Sequence, residues 1–509
     1  MSRVLRFKNI EYPKVKIDFG LLLFSFFSVA FVVWIFFRLF PFTIVDDAYI
    51  HYRVAENFAK TGLPYYNLND PVNSTSSPNW TICLSLLSKT GIPITYAAFL
   101  LGCIGLFSTI YIFGILLKRQ NINASLRYAG LLLTFVWIYD TVLMGMESAA
   151  ALSCLMFGIY LQERKSKFSL LILCLSVFFR YELAVFLIFF FLFPSPKIPD
   201  LKEILIAGLP ISALSLWMYF HFGTILPRAG MVKLSVYSIS YDHPVLAIFG
   251  DYSVAVAYLA LFFLVGFILY RIGFKTAPRF VLSAWAFGLA LPLIYILGRV
   301  FVFRWYTPLF LAPFSFSVIW AFHKIKEVDN KGFVYALFSL SILGVLYQPL
   351  PKISKDIYAG LFGLSEYRKL TYNSRIVRYL EIGKYLNQKK PNGTLLAPEI
   401  GALGHSFEGE IIDAVGLGSS VSVSYHPLKI PEERSDGTIG AIPPKLVLDT
   451  VPDFVVSLPV FAEALLQSEF TEIYNCSQET PFAEETKEIL EGEKIWGYDW
   501  ILVCEKKAG

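Results

Sequence analysis

The sequence predicts an α-helical, polytopic membrane protein with a soluble α/β domain at its C-terminal end, and three observations predict it. The 509 residues are 56% hydrophobic, 17% aromatic and only 16% charged, with a mean hydropathy of +0.57, too apolar for a water-soluble globule. Apolar runs of membrane length recur from residue 19 to residue 350, each near the roughly 20 residues that a spanning helix needs. Beyond Pro351 the long runs stop, charges rise, and short β-rich pieces (TLLAPEI, EIIDAVGL, DFVVSL, WILVC) alternate with helical stretches such as 365–389 and 460–470. The net charge of +5 sits in short loops between apolar runs, which speaks for membrane topology and against nucleic acid as a partner.

In chain order, a basic start (Arg3, Arg6, Lys8, Lys14, Lys16) precedes an apolar run from Phe19 to Phe40 broken only by Arg38. That run is too long for a cleavable signal and is expected to stay as the first span, with the N-terminus in the cytoplasm. The stretch from Ile44 to Trp80 follows, opening on the acidic pair Asp46-Asp47 and AYIHYRVAENFAK, whose apolar spacing predicts a short amphipathic helix at the membrane surface. Further runs lie at 92–117, 126–143, 147–162, 168–193, 203–222, 252–270, 279–298, 305–322 and 333–350. The run 168–193 has Arg180-Tyr181-Glu182 at its middle, and an unpaired charge there would cost about 2.5–3.5 kcal/mol.

Charge parity resolves that run. If it is two short passes, or a sheltered re-entrant pair, reversing at Arg180-Tyr181-Glu182, the clusters Lys118/Arg119/Arg127, Arg164/Lys165/Lys167, Lys197/Lys202, Arg271/Lys275/Arg279 and Lys324/Lys326/Lys331 share the N-terminus's side. The expectation is therefore 11 passes, residues 1–350 forming the membrane domain with a functional first outer loop at 41–91, and 351–509 an exported domain in which Cys476 and Cys504 have the option of pairing.

This topology gathers the chemistry on the outer face. Asp46 and Asp47 have N-capping as their plain reading; a second carboxylate at the membrane edge also suits a general base or a divalent cation. Tyr65, Tyr66, Asn67 and Trp80 lie in a turn-rich loop and offer aromatic and amide surfaces for a sugar, against the plainer reading of an interfacial aromatic belt. Arg180, Arg304 and Arg299 end apolar runs, where snorkelling or pairing with Glu182 or Glu147 is the default; a lipid phosphate would also need a guanidinium at this depth. Arg304 with Tyr306 is the first choice for that role and Arg180 the second. His221, His243, His405 and His426 show no zinc-ligand spacing.

The outer stretch DDAYIHYRVAENFAKTGLPYYNLNDPVNSTSSPNW resembles the first outer loop of GT-C membrane glycosyltransferases, most closely the branch of terminal arabinofuranosyltransferases. GMESA from Gly145, RYE from Arg180, LPRAGMVK from Leu226, FRWYTPLFLAP from Phe303 and APEIGALGHSFEGEIIDAVGL from Ala397 resemble later elements of that branch in the same order, so the likeness runs along nearly the whole chain. Pro64, Tyr181 and Arg228 depart from its pattern. The resemblance implies a GT-C fold and an inverting, metal-independent or weakly metal-dependent transfer from a polyprenyl-phosphate sugar to a glycan or glycolipid hydroxyl. It would take place at the outer face of the cytoplasmic membrane, in cell-envelope assembly. Asp46, favoured narrowly, or Asp47 would be the base; Arg304, Tyr306 and Arg180 would hold the donor phosphate, with Glu147 and Glu182 orienting its sugar; Arg228 and Lys233 would border the cavity. The rival classes are a transporter or flippase, which would place polar residues at the midplane of repeated halves, and a polysaccharide polymerase or ligase.

Overall fold

The computed structural model describes residues 17–193, 199–235, 244–298, 302–363, 374–426, 441–479 and 500–507. The basic start, Lys197, His243, Arg299 and the opening of the 365–389 stretch lie outside them.

The membrane part is built from sixteen described helices: α1 (Phe19–Leu39), α2 (Asp46–Thr61), α3 (Pro78–Ser88), α4 (Ile94–Arg119), α5 (Ala124–Leu143), α6 (Ser148–Glu163), α7 (Ser169–Phe179), α8 (Leu183–Leu192), α9 (Leu201–Phe222), α10 (Arg228–Ser235), α11 (Pro244–Phe249), α12 (Tyr252–Ile272), α13 (Arg279–Leu297), α14 (Pro308–Lys324), α15 (Lys331–Leu346) and α16 (Pro349–Phe362). Among the described residues seven helices (α1, α4, α5, α9, α12, α13 and α14) are long and apolar enough to cross a membrane, and eight if α15 and α16, bent by 49° at their junction, form one broken span. The sequence-based number of 11 also counts α6, α7 and α8, which have only 16, 11 and 10 residues.

The contacts give α7 and α8 opposite directions. At the start of α7, Ser169 Oγ donates to Gln162 Oε1 (2.7 Å) near the end of α6, and after its last residue Arg180 reaches Glu147 just before α6 begins. α8 then descends along α13, from Glu182, which accepts from Tyr295 (3.3 Å), to Phe190, whose carbonyl accepts from Arg279 at the start of α13. Eleven and ten residues at 1.5 Å each make arms of about 15–17 Å, roughly half a hydrocarbon core of about 30 Å. The reversal at Arg180-Tyr181-Glu182 therefore lies inside the bundle, sheltered on both sides.

Lys118 pairs with Asp18 (2.6 Å), Arg271 with Asp329 (2.7 Å) and Lys324 with Glu327 (2.7 Å), all at the end of the bundle where α1 starts. The opposite end carries α2, α3 and the C-terminal domain.

The expected boundary at 351 falls inside a helix. α16 opens with Pro349 in its first turn, where a missing N–H is harmless, and packs on α1, with Arg38 Nε donating to the Gly360 carbonyl (2.8 Å). It belongs to the bundle, and the described part of the soluble domain begins at Ser374. There a five-stranded sheet runs in the order β2-β1-β3-β5-β4, with β1 (Thr394–Ala397), β2 (Glu410–Asp413) and β3 (Phe454–Ser457) parallel, and β4 (Tyr474–Glu479) and β5 (Ile501–Lys506) antiparallel. The central strands β1 and β3, TLLA and FVVS, are apolar but for one end residue each because both faces are covered. Leu396, Ile412, Val455 and Leu502 pack under the helices Pro444–Thr450 and Pro459–Leu466, while Leu395, Ile411, Val456 and Val503 join the core shared with the bundle.

Cys476 and Cys504 face each other across β4 and β5 and form a disulfide closing 28 residues. In the chain-entropy account such a loop contributes about 3–4 kcal/mol. Cys504→Ser should therefore lower the thermal midpoint of the purified protein; an unchanged midpoint in both wild type and variant under reductant would remove the bond's stabilising role.

Candidate functional site

The loop after α1, residues 44–80, is held between bundle and sheet domain by α2, and the helical repeat divides α2 into two faces. Val45 is the N-cap of α2 and makes no side-chain cap bond, so neither aspartate serves that plain capping role for its own helix. Asp46 instead caps a helix of the soluble domain, Gly401–Ser406, accepting from Gly401 N (2.9 Å) and Ala402 N (2.8 Å), one with each carboxylate oxygen. Two turns further on, Arg53 closes the other end of that helix, donating to the carbonyls of Gly404, Phe407 (2.6 Å) and Gly409 (2.8 Å). An acid at the positive end of a helix and a cation at its negative end are what its dipole favours. Between them the Tyr49 ring lies 5.2 Å from the His405 ring, and Glu56 is 3.6 Å from His405. Burial pushes the Asp46 carboxyl up to about 7, helped by the Glu399 charge and opposed by its two N–H donors and Arg375.

The glycines of GALGHS make this approach possible. A Cβ on Gly401 would stand 1.8 Å from the Asp46 carbonyl oxygen, and one on Gly404 1.7 Å from the Tyr66 hydroxyl. Gly401→Ala should unseat the domain from α2, seen as faster hydrogen exchange across 46–61; exchange equal to wild type would mean the helices can part without loss. In the segment that follows, Asp413 ends β2 and accepts from Val415 N (2.9 Å) and Gly418 N (2.7 Å), so the Asp-Ala-Val-Gly-Leu motif is a self-closing turn.

Four loop residues expected to offer ligand surfaces are placed differently. Tyr66 and Trp80 are fully buried, and Asn67 nearly so. Tyr66 donates to the Ile400 carbonyl (2.6 Å), and Asn67 bonds Ile411 as donor (2.7 Å) and acceptor (3.1 Å), extending the edge of β2. Tyr65 meets His221 at 3.3 Å. These side chains are joints between chain segments, so the expectation of exposed aromatic surfaces is corrected for Tyr66 and Trp80. Arg228 is also a joint: its N–H donates to the Asn73 carbonyl (2.9 Å) and its guanidinium to Ser420 O (3.2 Å). Lys233 lies in α10, and its side chain is outside the described residues.

The other face of α2 carries Asp47 and, one turn later, His51, which sequence reasoning passed over. Tyr52 holds the adjacent turn by donating to the Gly145 carbonyl (3.3 Å); Gly145 has φ +75°, and a Cβ there would stand 2.1 Å from the Tyr52 hydroxyl. That turn delivers Glu147 to Arg180, Nε to Oε1 2.7 Å, with side chains 0% and 1% exposed. Glu182 stands 3.8 Å from the same guanidinium, which lies over the Tyr306 ring at 4.3 Å. Thus Glu147, Arg180, Glu182 and Tyr306 come together as one cluster. Arg304 does not join it. Its guanidinium, 57% exposed, pairs with Asp140 at the end of α5 (2.9 Å). Lys352 of α16 pairs with the same Asp140 (2.6 Å) and with Asp356 (2.8 Å), which also accepts from Tyr139 (3.0 Å).

No protein-family model, curated protein or solved structure matches this chain. Its chemistry has to be argued from the two clusters. The first holds one cation, Arg180, between two carboxylates, whereas the second holds two cations, Arg304 and Lys352, with Asp140 and Asp356. The Arg304 guanidinium is open to solvent, so a phosphate can reach it in exchange for Asp140, whereas Arg180 is enclosed with Glu147. Among the described residues no group of three or more His, Cys, Asp or Glu is arranged to hold a metal ion, and both Asp46 oxygens already accept N–H bonds.

His51 and Arg53 were legible in principle as the i+4 and i+7 companions of the acidic pair. Lys352 carried no local signal, because it reaches the site only through the bend between α15 and α16.

Proposed function

We propose that the chain is an inverting glycosyltransferase of the GT-C kind, moving a sugar from a polyprenyl-phosphate donor to a hydroxyl of a glycan or glycolipid at the outer face of the cytoplasmic membrane. The observation that carries it is the split of the acidic pair. Asp46 is committed to the soluble domain, while Asp47, in the next helical position, shares its face of α2 with His51 one turn later. In this reading Asp47, not Asp46, takes the proton of the acceptor hydroxyl. The acceptor oxygen attacks the anomeric carbon from the side opposite the phosphate, and the bond from that carbon to the phosphate oxygen breaks with its electron pair. Arg304 and Lys352 meet the charge that appears on the departing lipid phosphate.

The 11 apolar segments belong to this reading, with α6 as a short pass, α7 and α8 as a sheltered re-entrant pair, the N-terminus in the cytoplasm and the sheet domain outside. The basic residues clustered at the end away from α2 support that orientation. A disulfide in the sheet domain suits an oxidising compartment.

Incubating the full chain in lipid nanodiscs with an undecaprenyl-phosphate sugar and a glycan acceptor should release undecaprenyl phosphate and form a glycoside of inverted anomeric configuration. A second reading, a lipid-sugar flippase, is favoured by one observation: an ion pair sheltered inside the bundle beside a helix reversal. Translocation of the intact lipid-sugar across liposomes without phosphate release would select it. A polymerase or ligase would instead join preformed glycan chains.

A further inference from the structure

Around the Glu147–Arg180 pair, several buried polar atoms have no hydrogen-bond partner among the described residues. They are both carboxylate oxygens of Glu147, Nε and Nη2 of Arg180 and Nε1 of Trp305. The pair itself meets at 2.7 Å without a directed N–H bond. Trp305 is held beside Glu147 because Ser148 Oγ donates to its carbonyl (2.7 Å), and Arg180 lies over the neighbouring Tyr306. A buried polar atom left unmatched is costly, so such a gathering points to a polar occupant.

His51 adds a further acceptor, and its tautomer follows from a hydroxyl chain. Thr81 Oγ1 donates to the Ser77 carbonyl (3.1 Å), which spends its one proton; it must then accept from Thr75 Oγ1 (2.9 Å). Thr75 has then spent its own proton and accepts from His51 Nδ1 (2.8 Å). Nδ1 carries the hydrogen, and Nε2 is a bare lone pair with no partner among the described residues. Burial, opposed by the Glu147 charge and aided by that of Arg180, holds the ring neutral. The chain also joins the cluster, since Ser77 Oγ donates to the Phe179 carbonyl (2.7 Å), the residue before Arg180.

We infer that this cluster binds a neutral polyhydroxylated ring, whose hydroxyls donate to Glu147 and His51 Nε2 and accept from Arg180 Nη2 and Trp305 Nε1. A phosphate brings only acceptors and would face a carboxylate and a lone pair; an ammonium brings only donors and would face a guanidinium and an indole N–H. A hydroxyl does both, and acceptors and donors alternate here. His51 becomes a sugar-reading residue, and Arg180 a reader of hydroxyls rather than a phosphate ligand. The inference rests on the reading that this end of the bundle handles a lipid-linked sugar, but not on whether that sugar is transferred.

The test compares affinities of the full chain in nanodiscs for bare undecaprenyl phosphate and for the same lipid carrying arabinofuranose, mannose or glucose. His51→Asn keeps a donor where Nδ1 stands, and with it the bond to Thr75, while removing Nε2. It should weaken binding of the preferred sugar-lipid about 5- to 100-fold and leave the bare lipid within about twofold. Equal weakening of both lipids, no weakening of either, or a wild type that binds none of the three sugar-lipids better than the bare lipid overturns the inference. Transfer is read in the same discs. Transfer without a His51→Asn effect removes the sugar-binding role of the cluster and keeps the reaction, whereas the binding pattern without transfer does the reverse.

Discussion

Asp47→Asn should lower sugar transfer by about 10²- to 10⁴-fold if the carboxylate is the general base. Asp46→Asn should behave otherwise. An amide has one acceptor oxygen where the carboxylate has two, so one of the N–H groups of Gly401 and Ala402 loses its partner, and the soluble domain should loosen from α2. Its signature is faster exchange of the 401–406 amides with a partial loss of transfer. Full activity in both variants would remove the general-base assignment from this pair. Loss in Asp46→Asn alone, without any change in exchange, would return the role to Asp46.

The second large effect is on stability. Arg180 stands between Glu147 and Glu182, so Arg180→Leu leaves the fully buried Glu147 carboxylate without its cation, at an expected cost of about 3–5 kcal/mol. Glu147→Leu should cost less, because Glu182 at 3.8 Å still answers the guanidinium. The double variant, which removes charge of both signs, should melt closer to wild type than either single variant. Midpoints in one detergent would test this order; a double variant that melts at the sum of the two single losses would mean the charges are independent.

Much of the fold was legible because hydropathy is summed over many residues. The reversal at Arg180-Tyr181-Glu182 followed from counting basic loops, and the contacts of α7 and α8 run in the opposed directions that count requires. The domain edge was set at 351 because the long apolar runs end there, whereas α16, with Pro349 in its first turn, carries the chain on along the bundle to Phe362. In the site, motif order picked out Glu147, Arg180, Glu182 and Tyr306, which do assemble. Residue type and spacing could not tell that Tyr66, Asn67 and Trp80 would be roofed over, because Tyr66 and Asn67 find their partners 334 and 344 residues away. Nor could they separate Arg304 from Arg180, since the residues that claim Arg304 and its neighbour Lys352 come from α5 and α16.

The same distance sets a timetable. Asp46 meets the backbone of Gly401 across 355 residues of chain. At 5–20 residues per second of synthesis, the first outer loop exists for roughly 20–70 s before the segment that closes it has been made. Throughout that interval Arg53, Tyr66 and Asn67 lack their partners from residues 400–418, so the loop that carries the acidic pair is among the first parts translated and the last completed.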